Sequence, residues 1–418
     1  MHPIEAIEEN SRSKGFLDFI VPYYDGLSII NILPTVLNHL GYKCSLRGLD
    51  FNFIDRTYFE NIERVLLIIV DSLNYSLALK NLELLKYNSY ETLLVPITSV
   101  APTTTSTALT SIYTGVAPQE HGVLGYRLYI RELGMVINTI EFAPIVGGFN
   151  DSLRKCGVKT EILTKVKPLP RVFAEEGLRT SAIGYKKLED TAFTSIITDG
   201  CEMKTYISLS DMLANCRKAL EEDFQLVIAY WGLLDSVGHE YGPNSYEFNL
   251  ELKHVLLSIR ELLIKEFTRG SRDCLVILTA DHGQIQVSEN STIILGSDSK
   301  FLQSLAIPPY GESRFLYLQV YDEERLLNAY TEEFSDKGML FRTEDLVKRG
   351  VFGEGIISND IRFRLGDFIM IMKDRFCVIY PYSSEESVKL LKGRHGGLSY
   401  EESIVPLILI RARSNSSS

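Results

Sequence analysis

The strongest constraint in this sequence is a set of short, almost uniformly apolar runs at residues 65–70, 93–97, 225–231 and 274–279. A strand with one wet face alternates polar and apolar residues. A run without alternation is a strand buried on both faces, which is the pattern of a parallel sheet covered by helices. Stretches with helical periodicity separate the runs. The clearest spans 245–267, where Phe248, Leu252, Val255, Ile259 and Leu262 form one stripe after the start signal Pro243-Asn244. The expected fold is therefore α/β, with a mostly parallel central sheet flanked by helices.

Residues 300–382 break this alternation. They are richer in aromatics and in strand-like pieces such as 315–321 and 368–372. They are expected to form a smaller inserted cap domain, set into an α/β core made of 1–299 and 383–413. The stretch 403–411 returns to the strand pattern and is expected to rejoin the main sheet, and the Ser-rich tail 414–418 is expected to be disordered.

Charge narrows the function. Lys plus Arg number 43 and Asp plus Glu 54, a net charge of −11. A protein that grips a nucleic-acid backbone needs a basic surface to neutralise phosphates, so that class is not expected. A small anionic substrate remains compatible, because a few bound dications reverse the local field of an acidic protein. No apolar run approaches the ~20 residues that span a bilayer, so no membrane partner is expected. The N-terminus has neither a basic start nor an apolar stretch, so no secretory signal is expected. The six cysteines are scattered (Cys44, Cys156, Cys201, Cys216, Cys274, Cys377) and read as free thiols of a cytoplasmic protein. The sequence leaves the oligomeric state open.

In open α/β sheets ligands bind beyond the carboxyl ends of the strands. Asp71 follows the first run, and the second leads to the hydroxyl cluster 103–107. The third is followed by Asp235 and His239, the fourth by Asp281 and His282, and Gly393-Arg394-His395 precedes the last strand. Three carboxylates with three imidazoles suit Zn²⁺, Mn²⁺ or Fe better than Mg²⁺ or Ca²⁺, which prefer oxygen shells. Asp235 and His239 are four apart, so one helical turn puts both on one face. Asp281 and His282 are adjacent, and Gly283 is expected to let the backbone turn so that both serve one site. Six ligands suit two ions with open positions left for substrate. Such a pair can clamp an in-line displacement at phosphorus and activate a hydroxyl nucleophile. Residues 106–113 read as a helix, so a Thr at its mouth would meet a phosphoryl group where backbone N–H groups favour an anion.

Asp71, Pro102-Thr-Thr-Thr-Ser-Thr-Ala-Leu-Thr-Ser-Ile-Tyr-Thr-Gly115 with Pro118-Gln-Glu-His-Gly122, Asp235-Ser-Val-Gly-His239, Thr279-Ala-Asp-His-Gly283 and Gly393-Arg-His-Gly396 together resemble the ordered motifs of the alkaline phosphatase superfamily. The nearest branch is the nucleotide pyrophosphatases/phosphodiesterases. The resemblance implies an alkaline-phosphatase-like core and two divalent ions, with Zn the first choice. One ion would be held by Asp71, Asp281 and His282, the other by Asp235, His239 and His395. Thr105 would be both nucleophile and ligand, with Thr103, Thr104 and Thr107 as competitors. The implied reaction is hydrolysis of a phosphodiester or nucleotide pyrophosphate through a phosphothreonine intermediate. The same core also supports phosphomonoester, phosphonate and sulfate ester hydrolysis and phosphomutase chemistry, and a silent binding protein is the alternative outside enzymes. One departure stands out. The position where the family places a phosphoryl-holding Asn is taken as Ala108, which leaves that contact to the backbone, to Tyr126 or Arg127, or to the metals. Tyr126, Arg127, Trp231 and Arg394 are candidates for substrate contact. His121 falls inside a motif but is read as structural.

Overall fold

A computed structural model describes residues 1–87, 90–261, 274–382 and 390–412. Its centre is a seven-stranded sheet. The order is Tyr90–Thr98, Ile404–Ala412, Cys274–Thr279, Arg64–Val70, Leu226–Trp231, Thr180–Tyr185 and Cys201–Tyr206. All neighbours pair in parallel except Ile404–Ala412, which runs antiparallel to both of its partners. Val65 to Val70 and all of Cys274–Thr279 are buried, as runs without alternation require. The last apolar stretch thus rejoins the sheet, in the reverse direction.

Register sets up the site. Val70 pairs with Trp231 and Ile69 with Thr279, so the carboxyl ends of three central strands end side by side. Asp71, the 232–239 segment and Asp281-His282 all leave from that one edge. Ile404 pairs with Thr98. The antiparallel strand therefore begins at the same edge, and the loop that carries His395 arrives there too.

The helix expected at 245–267 is observed as Tyr246–Ile259, capped by Ser245, with Phe248, Leu252, Val255 and Ile259 buried. Residues 262–267 lie outside the described residues, as does the 414–418 tail. The hydroxyl-rich segment forms the helix Thr105–Thr114, ended by Gly115 at φ 71°.

A second seven-stranded sheet packs beside the first. Its order is Gly338–Arg342, Phe368–Met372, Phe315–Leu318, Tyr310–Glu312, Arg127–Ile130, Met135–Asn138 and Ala143–Pro144. The segment 300–382 therefore shares one sheet with residues 127–144. The two halves join at the pair Gly311 and Arg127. Among the described residues no helix is long and apolar enough to cross a membrane.

Candidate metal centre

The structure brings the six acidic and imidazole side chains together. His282 Nε2 lies 3.5 Å from Asp71 Oδ1 and 3.6 Å from Asp281 Oδ2. His395 Nε2 is 3.8 Å from Asp235 Oδ1, and His239 Nε2 is 3.2 Å from Asp235 Oδ2. The His282 and His395 rings stack with centroids 4.0 Å apart, and His239 and His395 are 5.1 Å apart. Asp71, Asp281 and His282 make one group that could hold an ion, and Asp235, His282 and His395 make another. His282 is common to both, and His239 stands beside the second.

Local structure explains each placement. Asp235 and His239 lie on the helix Leu233–Tyr241, one turn apart as their spacing predicts. Gly238 sits inside that helix although glycine disfavours one. A Cβ there would overlap the Gln284 side chain, which donates from Nε2 to Asp235 Oδ1 at 2.9 Å. The reason for Gly283 differs from the one expected. Its φ is not in the left-handed region; instead the Glu401 carbonyl occupies the place of a Cβ. Close approach of two backbones, not a turn, requires glycine here.

Each imidazole is fixed by its far nitrogen. Nδ1 of His239 meets the Gly393 carbonyl at 2.8 Å, Nδ1 of His282 the Gly283 carbonyl at 3.1 Å, and Nδ1 of His395 the Thr103 carbonyl at 3.0 Å. A carbonyl only accepts, so Nδ1 carries the proton in all three. The Nε2 lone pairs are left for the centre, which is the outer-shell pattern of metal-bound histidine.

Electrostatics point the same way. Burial pushes His282 down to about 4 and His395 down to about 3, so both are neutral donors. Burial raises Asp71 well above the usual carboxylate range, helped by the charges of Asp281 and Asp235, and raises Asp281 to about 6. Burial also acts on Asp235, but the charge and hydrogen bond of His239, itself raised by Asp235 against its own burial, outweigh it and hold Asp235 below its usual value. Asp71 Oδ1 and Asp281 Oδ2 are buried without a hydrogen-bond partner. Crowded, unpartnered carboxylate oxygens facing neutral imidazoles are the donor set a transition-metal dication satisfies.

Of the four candidate hydroxyls only Thr105 opens to the centre. It is half-buried, at the first position of its helix, with Oγ1 3.1 Å from His282 Nε2. Thr103 is locked, donating to the Gly397 carbonyl at 2.7 Å and accepting from Gly396 N–H at 3.1 Å. Thr104 and Thr107 are buried. Ala108 is wholly buried in the core. Its methyl group offers no hydrogen bond, so a phosphoryl-holding contact at that position is left to other groups.

Tyr126, Arg127 and Arg394 line a cavity of about 100 Å³ together with His239, His395 and Glu312. Trp231 is not part of it. Its indole is buried, packs on Tyr206 at 5.6 Å and donates from Nε1 to Glu251 at 3.0 Å, so it serves the core. His121 is structural, as expected. Nδ1 accepts from Val123 N–H at 3.1 Å and Nε2 lies 2.8 Å from Ser111 Oγ.

Besides Gln284, four supporting residues escaped the sequence reading. Tyr230 donates its hydroxyl to Asp71 Oδ2, and Ser72 donates to Asp235 Oδ1 at 2.6 Å. Arg314 and Glu402 form a fully buried ion pair, with Nε to Oε1 at 2.8 Å. Glu402 Oε1 also accepts from Gly397 N–H at 2.8 Å, and its carbonyl accepts from Gly283 N–H at 2.9 Å. It thereby ties the loop of His395 to the loop of Asp281 and His282. The only trace in sequence is Ser399-x-x-Glu402 before an apolar run, a capping box that the structure confirms.

Known proteins resemble this chain. A family model described as type I phosphodiesterase / nucleotide pyrophosphatase matches residues 65–398. An uncharacterized pyrophosphatase/phosphodiesterase of Schizosaccharomyces pombe is 27% identical over 192 residues, 44% of this chain and 37% of its own length. Ectonucleotide pyrophosphatase/phosphodiesterase family member 7 of Mus musculus is 38% identical over 74 residues, 18% of this chain and 17% of its own length. The matches thus span well under half of these curated relatives. Murine ectonucleotide pyrophosphatase / phosphodiesterase 5 superposes with a TM-score of 0.59 at 16% identity, covering 84% of this chain and 88% of that one. Its inactive threonine-to-alanine variant, in complex with AMP, superposes equally well at 15% identity. These superpositions show a shared fold. With the family match extending from the first central strand to beyond His395, the chain belongs to the type I phosphodiesterase / nucleotide pyrophosphatase family.

Proposed function

We propose that this chain is a metal-dependent hydrolase of phosphoric ester or anhydride bonds, acting on phosphodiesters or nucleotide pyrophosphates through Thr105. The observation that carries the proposal is the 3.1 Å approach of Thr105 Oγ1 to Nε2 of His282, the imidazole common to both Asp/His groups. Asp71, Asp281 and His282 would hold one divalent ion, and Asp235, His239 and His395 the other, with Zn²⁺ favoured by the nitrogen and oxygen donor set. Bound there, the ions would lower the proton affinity of the Thr105 hydroxyl and neutralise charge on the phosphoryl and departing oxygens.

The chain's own residues do the rest. Thr105 Oγ attacks phosphorus, the P–O bond to the leaving group breaks, and phosphothreonine forms. Water then cleaves that ester and returns the hydroxyl. The first-turn N–H groups of Thr105–Thr114 would face the oxygens of a phosphoryl group bound at Thr105. Tyr230 holds Asp71, while Ser72 and Gln284 hold Asp235, so the carboxylates cannot swing away during the displacement. The AMP bound by the murine neighbour's variant supports a substrate of nucleotide size. We read residues 300–382, with the 127–144 strands, as the cover of the site, because Glu312, Arg127 and Arg394 share one cavity with His239 and His395. The six free cysteines support a reducing, cytoplasmic setting.

Treatment with a chelator is expected to abolish hydrolysis of a p-nitrophenyl phosphodiester, and Zn²⁺ or Mn²⁺ to restore it. In the same assay a phosphomonoester and a sulfate ester should turn over at least about tenfold more slowly. A monoester or sulfate preferred over the diester would move the chain to another reaction of this core. Undiminished activity after metal removal would overturn the proposal.

A further inference from the structure

The residue after Asp71 adopts a backbone conformation that its side chain disfavours. The strand Arg64–Val70 passes into the helix Tyr75–Asn81 through the short link 71–74, and Leu73 N–H closes a turn by donating to the Val70 carbonyl at 3.3 Å. Ser72 is the third residue of that turn, with φ 64°. A positive φ there favours glycine or asparagine, because a Cβ crowds the neighbouring carbonyl. Of the seven described non-glycine residues with positive φ, five are Asn or Asp; the other two are Ser72 and Phe142. Ser72 is also fully buried, so its hydroxyl must find a partner inside the protein.

That partner is a carboxylate of the centre. Ser72 Oγ donates to Asp235 Oδ1 at 2.6 Å, the length of a hydrogen bond to an ionised carboxylate. Gln284 Nε2 donates to the same oxygen at 2.9 Å. Two donors fill the lone pairs of Oδ1. Oδ2, 3.2 Å from His239 Nε2, is the oxygen left to face an ion. The other group of ligands does not use Ser72 in this way. Asp71 Oδ2 accepts from the Tyr230 hydroxyl, and Asp281 Oδ1 from the N–H of His282 at 3.0 Å. Glycine at 72 would relax the backbone and bring no donor.

Resting on the two-ion reading above, we propose that Ser72 is a positioning residue for the second ion alone. Its strained backbone aims the hydroxyl at Asp235 Oδ1 and so turns Oδ2 toward the ion held with His239 and His395. Backbone strain persists where the surrounding structure over-determines it, and such positions cluster at functional sites. Donors behind a ligand carboxylate change metal affinity by about 10–100-fold.

Two variants separate the backbone from the hydroxyl. Ser72→Ala keeps the strain and removes the hydroxyl, whereas Ser72→Gly removes both. Calorimetric titration of the metal-free full chain with Zn²⁺ measures the two binding events. Anomalous peak heights at limiting Zn²⁺ assign each event to its ligands. In both variants the affinity for the ion of Asp235, His239 and His395 should fall about tenfold or more, and that for the ion of Asp71, Asp281 and His282 should stay within about twofold. The metal-free Ser72→Gly protein should melt about 1–2 °C above Ser72→Ala without recovering the lost affinity. Excess Zn²⁺ should restore hydrolysis lost by either variant, which a general fault in folding would not allow. Unchanged affinity for the second ion in both variants, or a deficit in Ser72→Ala that Ser72→Gly cures, overturns the role of the hydroxyl while the two-ion reading stands. A parental chain that binds no Zn²⁺ at these six ligands overturns both.

Discussion

Replacing Thr105 with Ala is expected to reduce kcat by about 10³-fold or more while leaving bound metal and fold intact. Thr105 is the one hydroxyl of its cluster that opens to the centre, and the others are buried or locked. Its loss is structurally cheap. The residue preceding the helix is Thr104, so no capping position is removed, and Thr105 is only half-buried. All six acidic and imidazole ligands stay in place. Kinetics, elemental analysis and thermal denaturation of the purified variant separate these effects. Thr105→Ser should retain a substantial fraction of activity because it keeps the hydroxyl. A Thr105→Ala protein that turns over at near the parental rate would show that another nucleophile, or water itself, attacks phosphorus.

The largest stability effect is expected at Glu402. Both it and Arg314 are fully buried. Glu402→Ala leaves the guanidinium without its partner, at a cost of about 3–5 kcal/mol. It also releases Gly397 N–H and Ser399 N–H, which Glu402 Oε1 and Oε2 accept at 2.8 Å and 3.2 Å. The loop of His395 then keeps its bonds to Thr103, His239 and the Ile285–Gln286 strand but loses its tie to Glu402, and metal affinity should fall along with stability. Denaturant unfolding and metal titration measure the two separately. The double variant Arg314→Met, Glu402→Gln removes the charges together and should recover much of the stability. Arg314 also holds Glu402 below its usual carboxylate range against the opposing effect of burial. A depressed native value contributes stability above the unfolded value near 4.5, and that contribution is lost as pH falls through the native value. Glu402→Gln should therefore flatten the acid limb of the stability profile. An unchanged acid limb and unchanged metal affinity would remove Glu402 from the support of the site.

Five strands of the central sheet were legible because they are nearly uniform apolar runs, whereas the edge strand Cys201–Tyr206 alternates and its neighbour Thr180–Tyr185 carries polar residues, and neither was read. The ligands were legible because each lies at a strand end or at a short helical spacing. Asp235 and His239 needed only the period of the helix. What escaped was whatever depends on contacts between distant segments. The second sheet joins 127–144 to 310–372, and neither half carries a pattern that names the other. Tyr230 reads as one more apolar residue of its strand, although its hydroxyl reaches Asp71. Its neighbour Trp231 looks like a pocket aromatic at the strand end, yet strand alternation sends the two side chains to opposite faces, and the indole goes to the core. Gly238 disfavours a helix and Gly283 reads as a turn residue, but each is there because a neighbouring group occupies the space of a Cβ.

The centre itself is tested most directly by anomalous diffraction from crystals of the protein loaded with Zn²⁺. The expected result is two peaks near His282, roughly 4 Å apart. One should be ligated by Asp71, Asp281 and His282 and the other by Asp235, His239 and His395, at about 2.0–2.2 Å. A difference map with no peak among these six side chains, or with the metal held elsewhere on the chain, would contradict the account.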